Sequence, residues 1–292
     1  MYTIVIKSGT VALIGRPNVG KSTLVNNLIG QKVAITSPKP QTTRFPIYAV
    51  YNDDRGQIIF IDTPGIFRKA KDTLAKKINQ KTMLELDKDI DIFLYIIDPT
   101  RPRDYEEARV IGLVRKIIKP KILVINKIDV TDKDFRGQYQ FLKEEFDTVI
   151  EVSAINKKHL KALLEKIFEK LPQREPEIKS TNYIYPALNM DSKTFIAELI
   201  REKILLQMRK ELPYTTTVVV DEITERNDNL TYIKARILTT DDKYKKMLIG
   251  ARGRKIKIIG SMTRKELELS TKKTIYLDLI VETDKHWVQT LT

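Results

Sequence analysis

One short segment limits the possible folds of this chain more than any other. Residues 15–22 read Gly-Arg-Pro-Asn-Val-Gly-Lys-Ser and lie between an apolar run at 11–14 and a helix-like run at 23–29. In this spacing the glycines let backbone N–H groups surround phosphates, Lys21 supplies a positive charge, and Ser22 offers a hydroxyl to Mg²⁺. The N-terminal end of the following helix adds positive potential. The segment therefore predicts a phosphate-binding loop for a nucleoside triphosphate.

A second motif stands where another apolar run ends. Residues 58–61 are all apolar and precede Asp62-Thr63-Pro64-Gly65, which predicts a buried strand with a carboxylate at its C-terminal end. There Asp62 would hold Mg²⁺ through water. Gly65 has no side chain, so its N–H could contact a γ-phosphate, and the next segment could move when that phosphate leaves. The two motifs together predict a switch that depends on a triphosphate.

Two further motifs are predicted to recognise the base. Residues 126–129 read Asn-Lys-Ile-Asp after the apolar run 122–125, and the carboxylate of Asp129 can accept from both N1–H and the amino group of guanine. Adenine has no amino group at that position, so the motif favours guanine. Residues 153–155 read Ser-Ala-Ile and would present a backbone N–H to guanine O6. An isolated Asn-Lys-x-Asp is usually a surface turn, and an isolated Asp-x-x-Gly is less informative still, but the four motifs in this order at strand ends predict a GTPase.

Length and composition narrow the class of protein. The 292 residues suit two domains, and an apolar fraction of 42% is enough for folded cores. Lysine and arginine exceed aspartate and glutamate by 52 to 38, a net charge of +14, which fits either a polyanionic partner or a lysine-rich surface. The absence of cysteine excludes disulfides and thiolate chemistry. Because no apolar stretch could span a bilayer and residues 1–11 do not resemble a signal peptide, a cytoplasmic protein is expected.

The chain is expected to fold as two unlike domains. Residues 11–170 alternate apolar strands with helical patterns, which predicts an α/β, doubly wound parallel sheet that binds ligands at the carboxyl ends of its strands. Prolines and charges at 172–177 predict a linker. The remaining pattern predicts a smaller α+β module of order α-β-β-α-α-β, with its first helix at about 193–210. The expected boundaries are 1–171 for the first domain, 172–190 for the linker and 191–292 for the second domain.

The second domain contains a candidate RNA-binding turn. Residues 249–256 read Ile-Gly-Ala-Arg-Gly-Arg-Lys-Ile, a G-x-x-G turn between two predicted helices. KH domains use such a turn to clamp about four nucleotides of single-stranded RNA. An isolated G-x-x-G is most often a plain turn, but its apolar flanks and the element order favour a KH domain here. The residues expected to contact RNA are Ile249, Gly250, Ala251, Arg252, Gly253, Arg254, Lys255 and Lys257.

With these residues in hand, the chain resembles the Era family, bacterial GTPases whose C-terminal KH domain binds small-subunit ribosomal RNA. The resemblance covers nearly the whole chain, and segments specific to the family lie at 37–44, 200–204 and 211–214. It implies a P-loop GTPase domain followed by a type II KH domain, with GTP and GDP as ligands and Mg²⁺ as cofactor. It also implies binding to the small ribosomal subunit and its RNA near the 3′ end, and a role in subunit assembly and rRNA maturation.

The resemblance assigns roles to single residues. Thr43, with Thr42 as the weaker alternative, would join Ser22 and Asp62 as a Mg²⁺ ligand, and Lys21, Thr43 and Gly65 would act in catalysis. The expected GTP-binding residues are Gly15, Asn18, Val19, Gly20, Lys21, Ser22, Thr23, Asp62, Gly65, Asn126, Lys127, Asp129, Ser153, Ala154 and Ile155.

Several implications of the resemblance are left open. Ile66 stands where many GTPases place a water-orienting glutamine, so slow intrinsic hydrolysis is expected. Asn18 either holds a K⁺ ion, as in similar GTPases, or only shapes the loop. The tail after Trp287 departs from the family pattern, so the resemblance assigns no RNA contact to it. A monomer is expected, and a peripheral association with the inner face of the cell membrane is the alternative location, although no basic amphipathic helix stands out.

Overall fold

The apolar runs of the sequence form the strands of the computed structural model, which describes residues 6–39, 42–65, 77–78, 80, 89–178 and 190–290. Contacts divide the chain into two units, Met1–Asn189 and Met190–Thr292. In these described ranges no helix is long and apolar enough to cross a membrane.

The first unit alternates strands and helices. Its main elements are β1 (Lys7–Ile14), α1 (Lys21–Ile29), β2 (Ile47–Asp53), β3 (Gly56–Asp62), β4 (Ile92–Ile97), α2 (Tyr105–Lys116), β5 (Lys121–Ile125), α3 (Gln140–Glu145), β6 (Val149–Glu151) and α4 (Leu160–Lys170). The strands form one sheet in the order β2-β3-β1-β4-β5-β6. Every residue of β3 and β4 is buried, as expected for strands that are covered on both faces.

One edge of this sheet differs from the expected all-parallel arrangement. β2 runs antiparallel to β3, whereas the other neighbouring strands are parallel. A tight turn causes this reversal: Asp53 pairs with Gly56, and its carboxylate accepts from the N–H of Arg55 at 2.8 Å. Gly56 has a φ of 140°, and a Cβ there would lie 1.8 Å from the carbonyl oxygen of Lys7. The carboxyl ends of β1, β3, β4, β5 and β6 nevertheless share one edge, and each predicted motif of this unit lies there.

Residues 172–178, which the sequence analysis places in the linker, pack on the first unit. Pro172 O accepts from the N–H of Ser8 at 3.3 Å, and Arg174 forms an ion pair with Asp91 at 2.6 Å. The N–H of Ile178 donates to the Gln57 side chain at 3.1 Å. This part of the predicted linker is therefore bound to the sheet, and residues 179–189 lie outside the described residues.

The second unit has the expected element order. It contains α5 (Ser192–Gln207), β7 (Thr216–Asn227), β8 (Leu230–Thr239), α6 (Asp242–Ile249), α7 (Arg254–Thr271), β9 (Thr274–Thr283) and the short α8 (Trp287–Thr290). β8 is the central strand, antiparallel to β7 and parallel to β9. The helix α5 ends at Gln207, three residues before the predicted end at Lys210. Trp287 is buried, with its indole N–H donating to Thr215 O at 3.2 Å, so the tail is anchored as far as this residue.

Candidate functional site

The phosphate loop joins β1 to α1 and leaves its glycines no room for a side chain. A Cβ at Gly15 would lie 2.5 Å from the carbonyl oxygen of Ile96, and one at Gly20 would lie 2.3 Å from Nδ2 of Asn126. Gly20 also has a φ of 100°, a left-handed value that residues with side chains rarely adopt. The helix α1 begins directly after Gly20, so its N-terminal N–H groups point toward any anion held in the loop.

Lys21 lies inside this loop. It is only 6% exposed, and its Nζ donates hydrogen bonds to the carbonyl oxygens of Gly15 and Arg16 at 3.1 and 3.0 Å. Burial lowers the pKa of Lys21 to about 8, while the charge of Asp62 acts in the opposite direction. Because a buried cation needs a counter-charge, this loop is suited to receive a phosphate.

Ser22, Thr43 and Asp62 form a cluster of oxygen atoms beside the loop. Ser22 Oγ donates to Asp62 Oδ2 at 2.6 Å and lies 3.1 Å from Thr43 Oγ1. Asp62 is fully buried, and within the described chain no donor is hydrogen-bonded to its second oxygen, Oδ1. Burial raises the pKa of Asp62 to about 6, against the charge of Lys21. A buried carboxylate oxygen without a donor, next to two hydroxyls, fits Mg²⁺, which prefers oxygen ligands.

The segment after β3 rests on the phosphate loop. Thr63 Oγ1 donates to Leu13 O at 2.6 Å, which ties the segment to β1. A Cβ at Gly65 would lie 2.7 Å from the backbone nitrogen of Pro17, so only glycine permits this approach. Ile66, on which the expectation of slow hydrolysis depends, lies outside the described residues.

The described part of the family-specific segment 37–44 contacts the phosphate loop through Asn18. Its Nδ2 donates to Pro38 O at 2.7 Å, and its own backbone has a left-handed φ of 63°. Thr42 Oγ1 donates to Lys39 O at 2.6 Å, whereas Thr43 Oγ1 reaches the oxygen cluster. The geometry therefore favours Thr43 over Thr42 as the hydroxyl near the metal position.

Asn126 connects the phosphate loop to the expected base site. Its Nδ2 donates to Val19 O at 2.8 Å, and its Oδ1 accepts from the Ala154 N–H at 2.9 Å. Ser153 Oγ donates to Asp129 Oδ1 at 2.5 Å, which fixes the orientation of the carboxylate expected to read guanine. The base motifs are thus joined to each other and to the loop by side-chain hydrogen bonds.

The segment 153–155 differs in detail from the simple expectation of a backbone N–H facing guanine O6. The Ser153 N–H donates to Lys158 O at 3.2 Å, and the Ala154 N–H donates to the Asn126 side chain. The side chain of Ile155 is 69% exposed. The donors this segment can offer to O6 are therefore the Ile155 N–H, or the Ala154 N–H once Asn126 releases it.

Thr23 lines a cavity near the residues that are expected to bind the base. The cavity has a volume of about 330 Å³ and is lined by Thr23, Asn27 and Thr36 among other residues of α1 and the segment that follows it. Asn27 Nδ2 donates to Ala154 O at 2.7 Å, so the cavity adjoins the base motifs.

One buried carboxylate at this site, Asp98, is not among the residues predicted from the sequence. Asp98, 0% exposed, lies 2.6 Å from Lys127 Nζ and 3.1 Å from Arg101 Nε. Asp98 follows the apolar run of β4 directly, just as Asp62 follows that of β3. A carboxylate at the C-terminal end of a buried strand is the signal that could have singled it out.

A buried cluster of polar side chains around Arg16 supports the phosphate loop. Arg16, 1% exposed, lies with its Nε 2.6 Å from Glu107 and donates from Nη2 to the Tyr139 hydroxyl at 3.0 Å. The hydroxyl of Tyr95 donates to the other oxygen of Glu107 at 2.5 Å. These contacts fasten the loop to α2, which carries Glu107.

The G-x-x-G turn of the second unit has a different construction. Gly250 has φ 71° and ψ 173°, a combination essentially confined to glycine, and a Cβ there would lie 2.6 Å from Cγ of Lys255. Gly253 has φ 73° and ψ 10°, and a Cβ there would meet no atom of the residues that the structure describes within 4 Å. Between them Arg252 adopts a left-handed φ of 51°. Backbone angles, rather than close packing, therefore set the requirement for glycine at the second position.

The surface around this turn is basic. Leu248 and Ile259 anchor the ends of α6 and α7 in the core, and Ile249 is half-buried. Three of the four basic side chains are exposed and that of Lys255 is half-buried, and in the described part of the chain none of them pairs with a carboxylate: Arg252, Arg254, Lys255 and Lys257. Unpaired cations beside an open backbone turn suit the phosphates of a single strand.

Comparison with known proteins identifies the family. The family described as "50S ribosome-binding GTPase" matches residues 10–127, and the KH domain family matches residues 211–288. GTPase Era of Halothermothrix orenii is 40% identical over 286 residues, covering 96% of this chain and 94% of the relative. The chain belongs to the Era family of GTPases. Another Era relative, from Carboxydothermus hydrogenoformans, is 39% identical with the same coverage.

Solved Era structures share the fold of the whole chain. A tyrosine-to-alanine variant of Aquifex aeolicus Era bound to GDP and AlF4⁻ has a TM-score of 0.89 at 33% identity and covers 98% of this chain and 97% of its own. Era in complex with MgGDPNP and nucleotides 1506–1542 of 16S ribosomal RNA has a TM-score of 0.88 at 33% identity, covering 98% and 96%. The protein is thus a GTP-hydrolysing enzyme with a C-terminal KH domain, and the predicted α/β GTPase fold followed by a smaller α+β domain is confirmed.

Proposed function

We propose that this protein is a GTP-driven switch that binds small-subunit ribosomal RNA near its 3′ end and assists subunit assembly and rRNA maturation. The observation that carries the proposal is a closely packed phosphate loop and an unpaired basic G-x-x-G turn in separate units of one chain. The solved Era complex that holds both MgGDPNP and 16S RNA supports this pairing of ligands. The nucleotide state is proposed to set the affinity for RNA.

In the proposed nucleotide site, Lys21 and the N–H groups at the start of α1 bind the β- and γ-phosphates. Ser22, Thr43 and Asp62 would hold Mg²⁺, which supplies positive charge to the transferring phosphate. Gly65 offers its N–H to the γ-phosphate. Since Gly65 lies against the phosphate loop, loss of the γ-phosphate would remove the contact that holds the next segment there.

Hydrolysis by the protein alone is proposed to be slow because the aliphatic Ile66 cannot orient water. Asn18 is the candidate for binding K⁺ through its amide oxygen, since the other atom of the amide, Nδ2, is the one that donates to Pro38 O. Turnover should rise when small-subunit RNA is added and when K⁺ replaces Na⁺. Fast turnover that responds to neither addition would contradict this part of the proposal.

The proposed RNA site is the turn from Ile249 to Lys257. Gly250 and Gly253 let the backbone approach the strand, and Arg252, Arg254, Lys255 and Lys257 supply charge to its phosphates. The tail after Trp287, which departs from the family pattern, is not part of this proposed site; Trp287 itself is buried and donates to Thr215 O.

Crosslinking tests the proposal. Total ribosomal RNA fragments would be crosslinked to the full chain in the presence of GTP or GDP and identified by sequencing. Enrichment of the 3′ end of small-subunit RNA, lost in Gly250→Asp and kept in the control Lys265→Gln, is expected. Lys265 is an exposed lysine on the same helix as Lys257, so it controls for general loss of charge. Equal recovery of this RNA with Gly250→Asp would contradict the proposed RNA site.

Three other features stay predictions. The domain boundaries are proposed as before, except that residues 172–178 go with the GTPase domain. The monomeric state is checked by sedimentation of the full chain. Peripheral association with a membrane is checked by flotation with vesicles of anionic lipid.

A further inference from the structure

Asp98 connects the two halves of the nucleotide site. Its Oδ1 accepts from the N–H and the hydroxyl of Thr100 at 3.0 and 2.6 Å, so the carboxylate is fixed by its own turn. Its Oδ2 accepts from Lys127 Nζ at 2.6 Å and lies 3.1 Å from Arg101 Nε. Burial raises the pKa of Asp98, but hydrogen bonds from Lys127 and Thr100 outweigh this and keep the pKa below its usual value.

The first connection runs to the base motif. Lys127 belongs to the Asn-Lys-Ile-Asp motif and has a left-handed φ of 64°, which is unfavourable for a residue with a long side chain. Such a conformation persists only where surrounding contacts hold it. The ion pair with Asp98 is one such contact, and the N–H of Asn126 donating to Ile97 O at 3.0 Å is another.

The second connection runs to the phosphate loop. Arg101 Nε lies 3.1 Å from Asp98 Oδ2, an ion-pair contact without a hydrogen bond among the described residues, and Arg101 Nη2 donates to Pro17 O at 3.0 Å. Pro17 is the residue on which Gly65 rests. One residue further along, Pro102 O accepts from Arg16 Nη1 at 3.2 Å. The segment from Asp98 to Pro102 therefore touches the phosphate loop on one side and the base motif on the other.

We propose that Asp98 is a positioning residue of the nucleotide site. It holds Lys127 next to the base and, through Arg101, fixes the phosphate loop. Because both parts of the site are held in place, a bound guanine nucleotide dissociates slowly. This inference rests on the proposed assignment of Lys127 and the phosphate loop to the nucleotide site. It assigns Asp98 no contact with the nucleotide itself.

Release of GDP measures this role directly. The full-length protein would be loaded with fluorescent GDP and chased with excess GDP in the presence of Mg²⁺. Asp98→Asn should speed release about tenfold, since a hydrogen bond to a charged group is lost. The KM for GTP should rise while kcat changes little, and the preference for guanine over xanthine nucleotides should stay, because Asp129 is intact. The matched control is Asp134→Asn, an exposed carboxylate paired with Arg136, which should release GDP at the wild-type rate.

A double-mutant cycle separates positioning from general destabilisation. Lys127→Met should speed release by itself, and adding Asp98→Asn should then speed it by clearly less than tenfold, because the partner is already gone. If Asp98→Asn does not fold, Arg101→Ala is the variant to measure, since the Arg101 side chain is 37% exposed and its removal should disturb folding less. Arg101→Ala should speed GDP release severalfold.

Each outcome is decisive. Unchanged GDP release in Asp98→Asn, or in Arg101→Ala when that variant decides, overturns the proposal. Fully additive effects of Asp98→Asn and Lys127→Met overturn it as well. If the wild-type protein does not bind GDP at all, the proposed nucleotide site itself is wrong. If the wild-type protein retains GDP and the variants release it at the same rate, only the role of Asp98 is wrong.

Discussion

Two glycine-containing loops of this chain are suited to phosphates, and they are built in opposite ways. In the GTPase unit, Cβ atoms at Gly15, Gly20 and Gly65 would each fall within 2.7 Å of a fixed neighbour. In the KH unit the atoms nearest to a Cβ at Gly250 belong to Lys255, mainly to its flexible side chain, and a Cβ at Gly253 would meet no atom of the described residues within 4 Å. The first loop is surrounded by protein, whereas the second is open to solvent.

This difference separates two ways of binding phosphate. A loop held by packing keeps its N–H groups in place before the ligand arrives, so little reorganisation accompanies binding. An open loop relies on backbone angles and exposed cations, which accept many sequences and lose affinity as salt rises. The first arrangement suits one nucleotide held tightly, and the second suits a strand of RNA.

The largest effect is predicted for a substitution in the phosphate loop of the GTPase unit, the packed loop. Gly15→Ala places a Cβ against the backbone oxygen of Ile96, which cannot move without shifting β4, so GDP affinity should fall roughly hundredfold. Calorimetric titration with GDP measures the effect. Gly112→Ala is the control, because Gly112 lies in α2 and a Cβ there would meet no atom outside the helix backbone within 4 Å in the described chain. This variant should gain up to about 1 kcal/mol of stability. Near wild-type GDP affinity in Gly15→Ala would show that packing does not set the loop.

The next prediction changes the base that the packed site accepts. Asp129→Asn should shift preference from GTP toward XTP, by roughly hundredfold or more in the ratio of affinities. The amide oxygen of asparagine can still accept from Ser153 Oγ, which leaves its NH₂ to donate to the 2-oxo group of xanthine. Competition between labelled GDP and unlabelled XDP measures the ratio of the two affinities. A variant that keeps full preference for guanine would remove Asp129 from the base site.

A smaller effect distinguishes the two glycines of the open loop. Gly253→Asn should weaken RNA binding only a few-fold, because asparagine tolerates the left-handed region at about 1 kcal/mol. Gly250→Asn should weaken it much more, since φ 71° with ψ 173° is open essentially to glycine alone. Fluorescence anisotropy with an RNA fragment from the 3′ end of small-subunit RNA compares the two. GDP affinity should stay at the wild-type value in both variants; equal RNA losses would mean that backbone angle does not govern this loop.

The smallest predicted effect concerns one charge. Lys257→Gln should reduce the salt dependence of RNA binding by roughly 0.7 in the slope of log K against log salt, the value for one lost phosphate contact on a single strand. Lys265→Gln, farther along the same helix, should leave the slope unchanged. A slope that does not differ between the two variants would place Lys257 outside the RNA contact.

The sequence alone could predict those parts of the site that depend on local pattern. Each motif of the nucleotide site follows an apolar run, and the carboxyl ends of parallel strands in a doubly wound sheet meet at one edge. The pattern therefore predicts that the glycines, Lys21, Asp62 and Asp129 lie together. The place of Asp98 after a buried strand is visible in the sequence, but the partners of Asp98 and Arg16 are not, because Asp98 pairs with Lys127 across 29 residues and Arg16 with Glu107 across 91. Such pairs leave no periodic signal in the chain.

Two other differences have local causes that a pattern of residue types does not contain. The antiparallel edge strand β2 follows from the turn at Asp53 to Gly56, where hydrophobic periodicity gives the strands but not their direction. The unequal demands at Gly250 and Gly253 come from their ψ angles, which differ by more than 160° although both φ values are near 70°. The motif G-x-x-G describes both positions in the same way.

The central claim is that the nucleotide bound in the packed loop controls RNA held by the open loop. The direct test is the affinity of the full chain for the small-subunit RNA fragment, measured with saturating Mg²⁺ and either a non-hydrolysable GTP analogue or GDP. The account predicts different RNA affinities in the two states, and RNA must then shift the ratio of the two nucleotide affinities by the same factor. Identical RNA affinity in both states would contradict the account, leaving a GTPase and an RNA-binding domain that share a chain without coupling.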